Sequence, residues 1–144
     1  MIALILAASL FGLGYAPGLE VEVIKVVDGD TMRVHILNRP DCPPIFCRNI
    51  PVRFLGIDTP EIRGKCHAEK ILATKAREFV RKLVEGAEEI RLREVSRGKF
   101  FRLLARPFVK TKAGEWVDIV QELIDARLGR PYEGGRREPW CPPS

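Results

Sequence analysis

The chain has 144 residues, of which 30% are charged, and its 24 Lys and Arg outnumber its 19 Asp and Glu, giving a net charge of +5. This length favours one domain, and this charge content excludes a protein with several membrane-spanning segments. Hydrophobic residues recur along the chain and make up 46% of it, which excludes a wholly disordered protein. The basic balance suits an acidic partner such as a nucleic acid.

The start of the chain differs from the rest, because no charged side chain occurs in the first 19 residues. The apolar run at residues 2–13, followed by small residues, is typical of a secretory signal peptide. An uncleaved membrane anchor and a buried first helix are the alternatives, because no basic residue precedes the run and Pro17 would follow cleavage after Ala16. We therefore expect a signal peptide or anchor at residues 1–18, a domain at 19–144, and a secreted or periplasmic protein.

After this leader, the sequence alternates between strand-like and helix-like periodicity. Short segments with alternating apolar residues predict strands at residues 20–27, 31–37, 52–57, 89–95 and 101–109. Apolar residues at helical spacing predict helices at 67–83 and 117–128, which end at Gly86 and Gly129. Residues 38–49, rich in Pro, predict an irregular loop. Five short strands with a helix after the third are typical of a small, partly open barrel, so we expect an α+β OB-fold with two or three helices.

Four cysteines, an even number, are typical of an exported protein with two disulfides. Cys42 and Cys47 can close a small loop, and Cys66 would then pair with Cys141. The alternative is a zinc ion bound by the first three cysteines and His67, but this spacing matches no standard structural zinc site. We expect disulfides, although the sequence alone does not determine which cysteines pair.

Acidic residues cluster where the first and third predicted strands end, at Asp28, Asp30, Asp58 and Glu61. Turn chemistry or a helix start explains each of them singly. If the two strands are neighbours, however, the carboxylates converge, and their mutual repulsion calls for a cation. Carboxylate and carbonyl oxygens suit Ca²⁺, and Mg²⁺ is the alternative that the same ligands allow.

Two arginines lie among apolar residues of the predicted strands. Strict alternation places Arg53 on one face with Leu55 and Ile57, and Arg102 lies in the most apolar part of the domain. A guanidinium binds phosphate through two hydrogen bonds, whereas a surface ion pair is the structural alternative. Arginines opposite a carboxylate-held cation are what phosphoryl transfer requires, because both neutralise the charge that develops on the phosphate oxygens.

Three segments together resemble the staphylococcal nuclease family: Asp28-Gly29-Asp30-Thr31, residues 52–61 (VRFLGIDTPE) and residues 99–105 (KFFRLLA). The resemblance spans about residues 22–132. It implies an OB-fold endonuclease, a Ca²⁺-dependent phosphodiesterase that cuts DNA or RNA and leaves 3′-phosphate products.

The same resemblance implies a role for individual residues. It implies that the metal ligands are Asp30, Asp58 and the carbonyl of Thr59, that Glu61 is the base or orients water, and that Arg53 and Arg102 bind the scissile phosphate. It also implies that Lys99 contacts a terminal phosphate and Tyr132 the bound nucleotide. Phe100 stands where the family has a tyrosine, so the contact of that hydroxyl is missing.

A non-catalytic OB-fold module that binds nucleic acid is the alternative function, since basic barrels can bind without cutting. A pure binder has no need of Glu61 beside two aspartates, so we favour the nuclease. We expect a monomer that needs no protein partner and has DNA, RNA or both as its substrate. Trp116 and Trp140 are interpreted as packing residues.

Overall fold

The computed structural model describes residues 18–143, and within this range the chain forms eight strands and three helices. In chain order they are β1 (Leu19–Asp28), β2 (Thr31–Ile36), α1 (Pro44–Cys47), β3 (Ile50–Phe54), β4 (Ile57–Asp58), α2 (His67–Glu85), β5 (Glu89–Arg97), β6 (Leu103–Lys110), β7 (Trp116–Asp118), α3 (Ile119–Asp125) and β8 (Arg130–Pro131). The leader predicted at residues 1–18 lies, apart from Gly18, outside the described residues. Between residues 18 and 143, no helix has the length and apolar character needed to cross a membrane.

Five of the strands close into a barrel. β1 pairs antiparallel with β2 and β5, β2 pairs antiparallel with β3, and β5 pairs antiparallel with β6. A parallel contact between β3 and β6 closes the ring and places Arg53 beside Leu104. This closed, mixed barrel with its helices confirms the predicted α+β OB-fold.

The barrel interior is filled by alternate residues of its strands, as the two-residue period of a strand requires. Met32 and Val34 of β2 and Val52 and Phe54 of β3 are each at most 2% exposed. Burying one such side chain contributes about 1.5–3 kcal/mol to the free energy of unfolding. The alternation therefore fixes which residues of β3 face outward, and Arg53 is one of these.

The helix α2 sets the position of the turn between β1 and β2. It packs against β1 and buries Ala76 and Val80 at helical spacing. A Cβ added at Gly29 would lie 2.7 Å from the Cβ of Ala76, so this close approach requires glycine. On the other side, the backbone N–H of Phe54 donates to the carbonyl of Asp30 at 2.8 Å. The turn that carries Asp30 is thus held by both the helix and β3.

The third predicted strand is wrong as one continuous element, because it breaks into β3 and β4. Leu55 and Gly56 form a turn between them, and Gly56 has a φ of 80°, which favours glycine. The turn ends the alternation, so Ile57 points into the core and is 1% exposed, while Arg53 stays partly exposed. The two side chains therefore do not share a face.

Two further boundaries also differ from the sequence prediction. Residues 117 and 118, predicted as the start of a helix, belong to strand β7, which pairs with β6, and Asp118 accepts hydrogen bonds from the N–H groups of Val120 and Gln121 as the N-cap of α3. The helix ends at Asp125, before the predicted Leu128, and Gly129 instead packs against Ile57. β6 begins at Leu103, because residues 99–102 belong to the loop before it. A short helix, α1, lies within the predicted loop at 38–49.

Both predicted disulfides are confirmed. Cys42 and Cys47 bridge the two ends of α1 with Cα atoms 6.1 Å apart, and Cys66 and Cys141 are joined with Cα atoms 5.9 Å apart. The second bridge links the N-cap of α2 to the C-terminal segment of the chain. All four cysteines are disulfide-bonded, so the alternative of a zinc site with cysteine ligands is wrong.

Candidate active site

The acidic residues singled out in the sequence lie on two neighbouring segments, with Asp30 in the β1–β2 turn and Asp58 and Glu61 at and after the end of β4. A Cβ added at Gly29 would lie 3.3 Å from Thr59, so the two segments are in contact. Across β2 and β3, Thr31 pairs with Arg53, which brings Arg53 next to Asp30. Across β4 and β8, Asp58 pairs with Arg130. Asp30 and Asp58 are only 7% and 5% exposed, so the fold buries two carboxylates in one region.

Asp30 is fixed by one neutral donor and lies near one arginine. The hydroxyl of Thr31 donates to its Oδ1 at 3.0 Å, and Nη2 of Arg53 lies 3.6 Å from its Oδ2. Burial raises the pKa of the Asp30 carboxyl above its ordinary value, Arg53 and Thr31 oppose this only in part, and the charges of Asp28 and Asp58 raise it further. A cation beside Asp30 would offset this unfavourable burial.

Asp58 has the same arrangement with partners from the C-terminal segment. The indole N–H of Trp140 donates to Oδ2 of Asp58 at 3.0 Å, and Nε of Arg137 lies 3.6 Å from Oδ1. Arg137 also donates from Nη1 to Oε1 of Glu61 at 3.2 Å. We call residues 136–141 the C-terminal strap, because they lie against two of the predicted site carboxylates.

Thr59 follows Asp58 and is 2% exposed. Its hydroxyl is buried and has no hydrogen-bond partner among the described residues, which is unusual for a buried polar group. Together with the aspartates it forms a set of oxygen donors without thiol or imidazole, and this set fits a hard cation such as Ca²⁺ or Mg²⁺.

The carboxylates of Asp30, Asp58 and Glu61 do not form a tightly packed group of three. Among residues 18–143, the ligand atoms of three acidic, His or Cys side chains lie within 4.8 Å of one another only at Cys66, Glu69 and Cys141. The two sulfurs there are joined in the disulfide, so this group is not a thiolate metal site. The site carboxylates are instead kept apart with arginines beside them.

Glu69 is a site residue that the sequence interpretation missed. It is buried in the first turn of α2, where its carboxylate accepts the backbone N–H of Glu61 at 3.1 Å and of Lys65 at 3.2 Å. Its own N–H donates to Sγ of Cys66, the N-cap. The signal was present, since a Glu three residues after an N-cap residue is the capping-box position, although the cap here is Cys rather than Ser or Thr. Glu69 therefore holds the loop that presents Glu61.

Glu61 itself points outward, and its side chain is 59% exposed. Its only polar side-chain contact among the described residues is with Arg137 of the strap. Glu61 therefore lies at the edge of the site that contains Asp58, and its carboxylate is accessible to water.

Arg102 lies just before β6, whose residues Leu103 and Leu104 pair with Val52 and Arg53. Arg102 therefore lies two residues before the partner of Arg53 on the neighbouring strand. The Nε of Arg102 is buried and has no hydrogen-bond partner in the described part of the chain, so one donor of the guanidinium is unused.

Lys99 and Phe100 belong to the exposed loop before β6, and Phe100 is 91% exposed. Tyr132 is placed differently: its N–H donates to the carbonyl of Gly56, and it lines a cavity of about 470 Å³ together with Arg53. The phenol donates to the carbonyl of Gly135 at 2.8 Å. Tyr132 therefore lies close to Arg53, whereas Lys99 is outside this cavity lining and exposed.

The sequence was compared with the profiles of known families. The profile of a family described as staphylococcal nuclease homologue matches residues 51–138, which is more than half of the chain. The matched span contains every predicted site residue except Asp30. No curated protein matches the chain significantly.

Proposed function

The chain belongs to the staphylococcal nuclease family, and from this membership we propose that it is a metal-dependent phosphodiesterase that hydrolyses DNA, RNA or both. Membership and the OB-fold barrel give the broader statement: the chain is a nuclease-family domain or nucleic-acid-binding module. The finer proposal is that Ca²⁺ supports the reaction, with Mg²⁺ as the alternative, and that the products carry 3′-phosphates.

The observation that carries the proposal is the burial of Asp30 and Asp58 in a basic protein. Each carboxylate has one oxygen held by a neutral donor and the other facing an arginine at 3.6 Å. Buried carboxylates repel the phosphates of a nucleic acid, so they would weaken a site that only binds. A cation bound by the same carboxylates would place positive charge next to the phosphate that is hydrolysed.

Asp30, Asp58 and Thr59 are the residues that would hold the cation. When bound, the cation supplies positive charge next to the phosphate that water attacks. Arg53 and Arg102 bind the oxygens of this phosphate, and their planar guanidinium groups remain charged at all relevant pH values. The Nε–H of Arg102 is unpaired but buried, so Arg102 would reach the phosphate through its two terminal NH₂ groups.

Glu61 accepts the proton of the attacking water. As the water oxygen attacks phosphorus, the bond from phosphorus to the 5′ oxygen breaks, and this oxygen takes a proton from solvent while Glu61 later releases its own proton to solvent, giving a 5′-hydroxyl and a 3′-phosphate. Glu61 is exposed to water, and Glu69 fixes its backbone, so its carboxylate can work from a stable position. Arg137 contacts Oε1 of Glu61, which leaves Oε2 to accept the proton.

We propose Lys99 and Tyr132 as residues that contact the rest of the substrate. Lys99 is exposed in the loop before β6, and Tyr132 borders the cavity beside Arg53. The exposed aromatic rings of Phe100 and Phe101 lie next to Lys99 and favour the second candidate, a module that binds nucleic acid without cutting it.

Location outside the cytoplasm is part of the proposal. Two disulfides are typical of proteins that fold in an oxidising compartment, such as the periplasm or the extracellular medium. The signal peptide or anchor at residues 1–18 and the domain at 19–144 stay predictions.

The decisive experiment compares hydrolysis and binding for Glu61→Gln. Labelled single-stranded DNA and RNA are incubated with purified protein in Ca²⁺, in Mg²⁺ and in chelator. We expect hydrolysis only with metal, and a loss of about 10²- to 10⁴-fold in kcat for Glu61→Gln with oligonucleotide binding retained. Glu115→Gln, an exposed change in the β6–β7 turn, is the matched control. Undiminished hydrolysis in chelator would refute the metal role, and binding without any hydrolysis would establish the second candidate.

A further inference from the structure

The C-terminal strap is held in place at several points. β8 pairs with β4 immediately beside Asp58, and Arg130 of β8 donates from Nη1 to the carbonyls of Glu138 and Pro139. At the end of the strap, Cys141 is bonded to Cys66. These contacts make the strap a fixed part of the site.

Trp140 uses this position to contact a proposed metal ligand. Its indole N–H donates to Oδ2 of Asp58 at 3.0 Å, and Asp58 is only 5% exposed. The guanidinium of Arg130 stacks over the Trp140 ring at 3.8 Å from its centroid. The Trp140 ring is therefore covered by Arg130 on one face, and its backbone is held by the disulfide at the next residue, Cys141. Its indole N–H points at the carboxylate of Asp58.

Asp30 shows what such a contact does. Its Oδ1 accepts from the Thr31 hydroxyl, which leaves Oδ2 facing Arg53. In Asp58, Trp140 takes Oδ2 and leaves Oδ1 facing Arg137. In both carboxylates a neutral donor fixes the rotation about the side chain and leaves one oxygen for a cation.

The two donors differ in how they are supplied. Thr31 is the chain neighbour of Asp30, whereas Trp140 lies 82 residues after Asp58 and reaches it only if the strap is in place. We propose that Trp140 is a positioning residue for the metal-binding carboxylate of Asp58 and that the Cys66–Cys141 disulfide holds it there, a role that rests on the proposed function. Hydrogen bonds to metal-ligating carboxylates commonly change metal affinity by about 10- to 100-fold.

The test of the hydrogen bond is Trp140→Phe, which removes the N–H and keeps an aromatic ring under Arg130. Ca²⁺ binding is measured by calorimetry in the absence of nucleic acid, so the readout does not depend on activity. We expect the Kd for Ca²⁺ to rise at least about tenfold. Trp116→Phe is the matched control, because the Trp116 indole N–H has no partner in the described part of the chain, and we expect its Kd to stay within about twofold of wild type.

The test of the disulfide is the double variant Cys66→Ser with Cys141→Ser. Serine at position 66 still serves as a helix N-cap, so α2 keeps its start. We expect Ca²⁺ affinity to fall as in Trp140→Phe, and adding Trp140→Phe to the double variant should cause little further loss, because both changes remove the same contact. Cys42→Ser with Cys47→Ser is the matched control and should bind Ca²⁺ as wild type does.

The outcomes separate this inference from the proposed function. Wild-type protein that binds neither Ca²⁺ nor Mg²⁺ overturns both, and protein that binds only Mg²⁺ is compared with Trp140→Phe in that ion. Wild-type protein that binds Ca²⁺ with the same Kd as Trp140→Phe overturns only the role of Trp140, and unchanged affinity in the Cys66 and Cys141 double variant overturns the role of the disulfide.

A measurement on unmodified protein covers the case in which Trp140→Phe does not fold. The two indole N–H resonances of wild type are followed by NMR, with Trp116 assigned by its loss in Trp116→Phe. Addition of Ca²⁺ should shift the Trp140 resonance and leave that of Trp116 in place. A Trp140 resonance that does not respond to saturating Ca²⁺ contradicts the proposal.

Discussion

The two disulfides should differ in how much they stabilise the domain. Cys66–Cys141 joins residues 75 positions apart, whereas Cys42–Cys47 joins residues only 5 apart. In the chain-entropy description, a bridge stabilises by restricting the unfolded chain, and the gain grows with the logarithm of the loop length. With these separations the long bridge is worth about 4.5 kcal/mol and the short one about 2 kcal/mol.

The measurement is urea unfolding of the two double serine variants in chelator, followed by circular dichroism. We expect the variant without Cys66–Cys141 to be less stable than the variant without Cys42–Cys47 by about 2.5 kcal/mol, which corresponds to roughly 5–10 °C in Tm for a domain of this size. The comparison is informative because both variants exchange two sulfurs for two hydroxyls. Equal stability of the two variants, or a larger loss for the short bridge, would refute the loop-length reasoning.

Three further predictions concern individual site residues. Burial raises the pKa of the Asp30 carboxyl, so the folded protein binds this proton more tightly than the unfolded chain does, and stability falls as pH rises from the unfolded pKa through the raised folded pKa. Asp30→Asn should therefore raise Tm at pH 7 in chelator, and this gain should vanish below about pH 4. A gain in Tm that persists below this pH would contradict burial as the cause. Arg137→Gln should tighten Ca²⁺ binding several-fold, because a guanidinium 3.6 Å from Asp58 competes with the cation. The Kd is measured by calorimetry without nucleic acid, with Arg136→Gln as the control. Weaker binding by Arg137→Gln would show that Arg137 supports the site. Phe100→Tyr should lower KM for an oligonucleotide with a terminal phosphate by up to about tenfold, because the ring gains a hydroxyl donor. Tm should stay unchanged, because the side chain is 91% exposed. An unchanged KM would place this ring away from the substrate.

Much of the fold could be predicted because its signals are local. β2 follows the alternation of Met32 and Val34, and α2 follows the helical spacing of Ala76 and Val80, so both elements were found close to their true bounds. The order of strands and helices was then enough to indicate the barrel. The break after β3 was missed because it depends on Gly56, whose positive φ ends a pattern that would otherwise continue.

The site was predictable only where its residues lie in short segments. Asp30 and Asp58 stand at strand ends, and the pairing of neighbouring strands brings such positions together. Trp140 was interpreted as a packing residue, yet it donates to Asp58 across 82 residues. The contacts of Arg137 are not predictable for the same reason, since the Gly- and Pro-rich C-terminal segment has no periodic pattern that indicates where the segment lies. The Cys66–Cys141 pair is expected from the cysteine count, but no local pattern shows that the segment ending at Cys141 lies against Asp58 and Glu61.

The distance along the chain between Asp58 and Trp140 has a consequence for the order of biosynthesis. A ribosome makes Asp58 82 residues before Trp140, and the bridge to Cys66 can form only after Cys141 has been added and an oxidant has removed two electrons. A newly made chain in a reducing compartment therefore carries both aspartates but lacks the bridge that ties the strap to α2. By the inference above, such a chain binds the cation about tenfold more weakly, so oxidation both stabilises the domain and raises its affinity for the cation.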